Sequence, residues 1–208
     1  VMDELLSERL FSRLHVQYKL IDIMLDDEQF WQKECRHEID VQLHKKAWEK
    51  VECLLKEYEE KAPKTELHTQ YVLAKRAELG LKTGQKDCGK AFLEALELTM
   101  PVHELEERLN GNGVVTEDEL MWYVYYRICD KPFSVEEYSM FLERMEELFL
   151  SVQIYTEGYF AAAYLYAIDL FETEQYVLCR EECQKAILWL KRGGKAFYLS
   201  EFYFLDAM

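Results

Sequence analysis

Four times along the chain, a spacing of three, four and three residues recurs between mostly apolar positions. The sets are Trp48, Val51, Leu55 and Tyr58; Gln85, Cys88, Phe92 and Ala95; Val135, Tyr138, Leu142 and Met145; and Tyr176, Cys179, Cys183 and Ala186. Steps of three and four keep side chains on one face of an α-helix, so each set reads as one amphipathic helix in need of a partner. A lone helix pair cannot bury its own apolar face, and recurrence of the unit predicts an array in which neighbouring pairs cover one another. The punctuation agrees: only three prolines and eight glycines occur in 208 residues, mostly between the periodic stretches, where a helix has to stop. The expected fold is all-α, built from antiparallel helix hairpins.

The sequence divides at about residue 27. Residues 1–27, apolar at Leu5, Leu6, Leu10, Phe11, Leu14, Ile21 and Leu25, are expected to form linker and dimerisation helices. Residues 28–208 are expected to form the repeat domain, with a loop insertion near 101–115 that holds a short helix at His103 to Leu109 followed by Asn110-Gly111-Asn112-Gly113. Within the repeat domain, a helix from about Glu28, with Phe30, Trp31, Ile39 and Leu43 on its apolar side, runs to a turn near Lys45 and Lys46. The next helix, Ala47 to Lys61, is ended by Pro63, and Thr65 caps a helix over Glu66 to Lys82. A return helix is expected from about Lys86 to Thr99. Thr116 with Glu119, and Ser134 with Glu137, form capping boxes that open two further helices. A last hairpin spans Tyr155 to Phe171 and Glu174 to Lys191. The helix after Gly193-Gly194 has no hairpin mate, and its apolar residues Phe197, Leu199, Phe202, Tyr203 and Leu205 are expected either to cap the stack or to pack on a second copy.

Charge excludes some functions. A formal net charge of −15 argues against direct nucleic-acid contact, which depends on Lys and Arg neutralising phosphates. The longest uninterrupted apolar run, Tyr159 to Ile168, is ten residues, against the about 20 that a membrane-spanning helix needs. Acidic residues Asp3, Glu4 and Glu8 stand where a secretory signal would be basic and then apolar, so a cytoplasmic location without membrane contact is expected. Val1 precedes Met2, which suggests an interior segment of a longer chain or a tag remnant. Six cysteines without a CxxC pair read as small core residues in a reducing compartment. The five histidines lack metal-ligand spacing, and neither a metal nor another cofactor is expected.

The spacing between equivalent small positions is 37 residues from Val51 to Cys88, 50 from Cys88 to Tyr138 and 41 from Tyr138 to Cys179. Together with the pattern of Ala167, Tyr176, Cys179, Cys183 and Ala186, this resembles the tetratricopeptide repeat, which implies a right-handed array of helix hairpins. The N-terminal half is similar to the region after the helix-turn-helix domain in Firmicute transcriptional regulators with tetratricopeptide-like sensor domains. The resembling segments are Ser7 to Leu14, Met24 to Phe30, Ala47 to Lys50 and Leu54 to Glu59. The resemblance implies a regulatory domain that forms a homodimer and binds a short peptide or protein segment in a concave groove, the DNA-binding domain itself lying outside these residues. A stand-alone interaction adaptor with the same repeats is the alternative.

In the tetratricopeptide register the first helix of each repeat lines that groove. This directs Tyr123, Arg127 and Asp130 from one repeat, and Tyr164 and Ile168 from the next, toward a ligand. Arg127 carries the most chemistry, since a guanidinium beside aromatic rings can pair with a carboxylate or stack on a ring. The alternative reading is that Tyr123 and Arg127 fill an inter-helix seam. Acidic runs such as Glu57, Glu59 and Glu60, or Glu143, Glu146 and Glu147, read as solvated helix faces. With no nucleophile–base pair legible, no catalytic role is expected.

Overall fold

The computed structural model describes residues 25–111, 115–149, 157–196 and 198–208. Residues 1–24, which carry most of the expected N-terminal helices, and Asn112, Gly113, Tyr155 and Phe197 lie outside the described residues. Every regular element described is an α-helix: α1 (Asp27–His44), α2 (Trp48–Lys61), α3 (Glu66–Lys82), α4 (Cys88–Glu97), α5 (Val102–Asn110), α6 (Glu117–Cys129), α7 (Val135–Phe149), α8 (Glu157–Glu172), α9 (Tyr176–Gly193) and α10 (Leu199–Ala207). Among the described residues, no helix is long and apolar enough to cross a membrane.

The recurring spacing marks the buried side of α2, α4, α7 and α9. Val51, Leu55 and Tyr58, then Cys88, Phe92 and Ala95, then Tyr138, Leu142 and Met145, then Cys179, Cys183 and Ala186 are all buried. The first member of each set sits at the mouth of its turn and is less covered: Gln85 and Tyr176 are exposed, Trp48 and Val135 half-buried. Phe30 is also out, at 49 % exposure, because α1 turns Cys35, Ile39 and Leu43 inward instead. Of the cysteines, Cys35, Cys88, Cys179 and Cys183 are core residues as expected, whereas Cys53 and Cys129 are exposed. Burial pushes the Cys35 thiol up to about 11 and the Cys183 thiol up to about 12, which keeps both protonated.

Local signals set the helix ends. Both capping boxes form: Thr116 Oγ1 accepts from the Glu119 N–H at 3.1 Å while Glu119 Oε2 accepts from the Thr116 N–H at 2.8 Å. Ser134 and Glu137 do the same at 3.2 and 2.8 Å. A third box, Asp26 with Gln29, opens α1. Ahead of Pro63, Ala62 is extended (ψ 154°), as the pyrrolidine ring demands of its predecessor. Four helices stop in one geometry. The N–H donors of Ala47, Gln85, Gln175 and Lys195 reach back five residues to the carbonyls of Gln42, Gly80, Leu170 and Leu190. In each case the preceding residue, Lys46, Gly84, Glu174 or Gly194, has φ between 58° and 75°. This is the Schellman stop.

Contacts gather the chain into two compact units, Val1–Leu105 and Glu106–Met208. The boundary falls in the stretch read as a loop insertion, which holds α5.

In the first unit α1 packs on α2, α2 on α3 and α3 on α4. Its core is Cys35, Ile39, Leu43, Val51, Leu55, Tyr58, Tyr71 and Val72, with Trp31 and Trp48 packed at its edge. Buried polar groups are threaded through it. Arg36 Nη1 donates to Tyr58 Oη at 3.2 Å, and Tyr58 Oη lies 2.7 Å from His68 Nδ1. The Lys75 ammonium sits 2.8 Å from Asp40 and 2.9 Å from Glu78.

In the second unit α8 is the hub, packing on α6, α7, α9 and α10. It is apolar on most of its circumference, with Tyr159, Phe160, Ala161, Ala162, Ala163, Ala167 and Leu170 all buried, which is the pattern of a helix surrounded by others. Close approach to α6 depends on Gly158: a Cβ there would lie 3.0 Å from Met121 Cα and 3.2 Å from its backbone nitrogen. Backbone cannot yield as a side chain can, so Gly158→Ala is expected to cost about 1–3 kcal/mol, measured as a lowered midpoint in chemical denaturation. The last helix caps this unit: Phe202 is fully buried, while Tyr203 and Phe204 stay exposed at 42 % and 68 %.

Candidate functional site

The consecutive helices α6 and α7, both packed on α8, build the most developed site of the second unit. Their two capping boxes fix where both helices begin, and the 3.6-residue turn puts Tyr123 and Arg127, four apart, on one face of α6. The turn Lys131-Pro132-Phe133 then carries the chain back across that face. Arg127 is buried, at 5 % exposure, and every arm of its guanidinium is engaged. Nε donates to the Lys131 carbonyl at 2.7 Å, Nη1 to Tyr123 Oη at 3.1 Å and Nη2 to Glu137 Oε1 at 3.1 Å. Glu106 of α5 accepts from Tyr123 Oη at 2.9 Å and stands 3.9 Å from Arg127 Nη1. The Phe133 ring lies under the guanidinium, its centroid 3.9 Å from Cζ, a cation–π contact.

Burial opposes the charge on Arg127, but the Tyr123 hydroxyl and Glu137 carboxylate outweigh it and raise its pKa above the ordinary value. Burial also pushes the Tyr123 phenol up. Glu137 is held below the usual carboxylate range, first by the Ser134 N–H and then by Arg127. One carboxylate thus serves two tasks, closing the capping box of α7 through Oε2 and holding Arg127 through Oε1.

Beside this clamp lies an open cleft of about 500 Å³ lined by residues of α5, α6 and α7. Its apolar part is aromatic: Phe133 and Phe141 have ring centroids 5.2 Å apart, and Tyr123 packs against them at 6.1 and 6.2 Å. Met140 projects from the rim at 70 % exposure. On the other side Arg144 donates from Nε to the Leu109 carbonyl at 2.7 Å, from Nη1 to Glu147 at 2.7 Å, and to the Gly111 carbonyl. Arg144 thereby satisfies carbonyls at the end of α5, which the helix itself leaves open.

Of the five residues the sequence points to, two meet here. Tyr123 and Arg127 line the cleft. Asp130 is exposed at the end of α6, its N–H donating to the Tyr126 carbonyl at 3.0 Å. Tyr164 and Ile168 lie on α8 and are half-buried. Tyr164 stacks on Tyr198 at 5.6 Å and meets the edge of Phe202 at 5.7 Å, against the capping helix α10. Sequence reasoning did not anticipate the roles of Glu106, Phe133, Phe141 and Arg144. Glu137 was legible only as a cap, since nothing in a capping box indicates which cation its second oxygen will meet.

A second polar cluster joins α7, α8 and α9. Tyr159 Oη and Lys185 Nζ both donate to Glu146 Oε1, at 2.9 and 2.8 Å, and Lys185 also pairs with Glu182 at 2.8 Å. Trp189 stacks on Tyr159 at 5.6 Å. Two carboxylates share one ammonium. Burial raises the Glu182 carboxyl above its ordinary value against the pull of Lys185, and the neighbouring Glu146 charge adds to the rise. A carboxyl whose folded pKa exceeds its unfolded one costs the native state nothing below the unfolded value, and a growing amount as pH rises through the folded one. Lys185 keeps Glu146 at 2.8 Å when the Glu182 charge is removed, so Glu182→Gln is expected to stabilise the protein at neutral pH by up to about 1 kcal/mol, and to have no benefit below about pH 4. Thermal melts across that range check it.

Among the described residues, no group of three or more His, Cys, Asp and Glu side chains is placed to hold a metal ion. Comparison with known protein families, with characterised proteins and with solved structures gave no match.

Proposed function

We propose that this chain is the sensory and dimerising part of a cytoplasmic transcriptional regulator, a tetratricopeptide-like right-handed array that takes up a short peptide at the α6–α7 cleft. The observation that carries the reading is the cleft itself. A preformed, aromatic-lined opening of about 500 Å³ falls within the size range of ligand clefts, and its walls are fixed by a buried guanidinium with every arm bonded. A ligand meets a rigid surface there and loses little affinity to ordering it. Support for the wider role comes from the likeness of Ser7 to Leu14, Met24 to Phe30 and Ala47 to Lys50 to regulator linkers, and from the chain's net charge of −15, which leaves DNA contact to another domain.

Light scattering on the purified chain tests the dimerisation part. The expected mass is twice that of one chain, and a monodisperse monomer at high concentration would sink it. A helix-turn-helix domain encoded directly upstream is the expected finding for the regulatory part, and a gene that begins at this segment would overturn it.

A further inference from the structure

The charges around the α6–α7 cleft are unequally available. Arg127 is buried with each nitrogen bonded, and Arg144 is committed to the Leu109 carbonyl and Glu147. A ligand carboxylate would have to displace one of these bonds. On the same rim the side chains of Glu106, Glu137 and Glu147 are 44 %, 50 % and 68 % exposed, and Glu143 is exposed as well. Lys131 is the one exposed cation among the described residues of the lining. Between the carboxylates stand Met140, 70 % exposed, and the half-buried Phe141 ring. The surface offered to solvent is therefore apolar at its centre and negative at its edge, on a chain whose net charge of −15 draws cations toward it.

Resting on the peptide-binding reading above, we propose that the occupant is a basic amphipathic peptide. Its apolar side chains lie on Met140 and Phe141, and its Lys or Arg groups face Glu143, Glu147 and the outer faces of Glu106 and Glu137. Methionine adapts to varied apolar shapes, so selection is by charge and amphipathicity more than by one side chain.

Fluorescence anisotropy with two labelled peptides tests this, one alternating leucine with lysine in helical register and one with glutamate replacing every lysine. The lysine peptide is expected to bind at least about tenfold tighter than the glutamate peptide and to weaken as salt is raised. Met140→Lys and Glu143→Lys, both at exposed positions outside the Arg127 clamp, are each expected to weaken it about fivefold. Glu60→Lys, the same change of net charge as Glu143→Lys at an exposed site on α2, is expected to leave it nearly unchanged. Circular dichroism confirms that each variant is folded. Tighter binding of the glutamate peptide at the same cleft overturns the basic class and leaves peptide binding standing. Failure of both peptides to bind overturns both readings. Equal effects of Glu60→Lys and Glu143→Lys would mean that the bulk charge, not the cleft, attracts the peptide, and would overturn the site.

Discussion

Arg127→Leu is expected to lower the unfolding free energy of the second unit by about 3 kcal/mol, the low end of what breaking a buried ion pair costs. The low end applies because Glu137 is half exposed and regains water when its partner leaves. What is lost is the link from the Lys131 carbonyl through Tyr123 Oη to Glu137, and with it the contact on Phe133. Arg127→Lys separates charge from geometry. One ammonium on a flexible stem cannot serve a backbone carbonyl, a phenol and a carboxylate in three directions, so the lysine variant should recover less than half of the loss in urea denaturation. Acid dependence supplies an independent readout. Because Glu137 has a depressed folded pKa, its stabilisation is fully present above the ordinary carboxylate value of 4.5 and is lost as pH falls through the lower folded value. That acid-sensitive part of the stability should shrink in Arg127→Leu.

Tyr58→Ala is expected to cost the first unit about 4 kcal/mol. The ring is fully buried, lies 6.1 Å from Trp31 and 5.2 Å from Tyr71, and its hydroxyl joins Arg36 to His68. Tyr58→Phe keeps the ring and removes the oxygen. Arg36 can only donate, so Tyr58 Oη accepts from it while it also pairs with His68 Nδ1. Deleting that oxygen takes a partner from two buried groups at once, at about 2 kcal/mol. Denaturation midpoints for the two variants divide the total between packing and hydrogen bonding. If Tyr58→Phe matches the unaltered chain, the hydroxyl network contributes nothing to stability.

Such networks mark the limit of what the amino-acid order reveals. Thr116, Ser134 and Thr65 announced their helices because a cap is a local bargain between residues three apart, and the buried faces of α2, α4, α7 and α9 followed from periodicity. Asp26 with Gln29 obeys the same local rule, yet its weaker consensus hides it beside the acidic Asp27 and Glu28. Arg127 could be picked out as unusual, but its anchors lie at Glu106 and Glu137 in two other helices, and no spacing rule joins them. Tyr164 read as a groove residue from its helical register. Its position under α10 depends on where the last helix folds back, which Phe202 decides by burying itself against α8 and α9.

The four Schellman stops show a likeness among the turns that residue identity conceals. Glycine occupies the left-handed position at Gly84 and Gly194, but lysine and glutamate hold it at Lys46 and Glu174, at a conformational cost of about 1 kcal/mol each. The same bend is thus spelled with three different amino acids, and an aligner matching letters would count these turns as unrelated. Substitution at Lys46 or Glu174 is governed by backbone handedness rather than by charge, so asparagine or glycine can replace either side chain while valine or isoleucine cannot. In this chain, four helices share one way of ending while differing in the residues that end them.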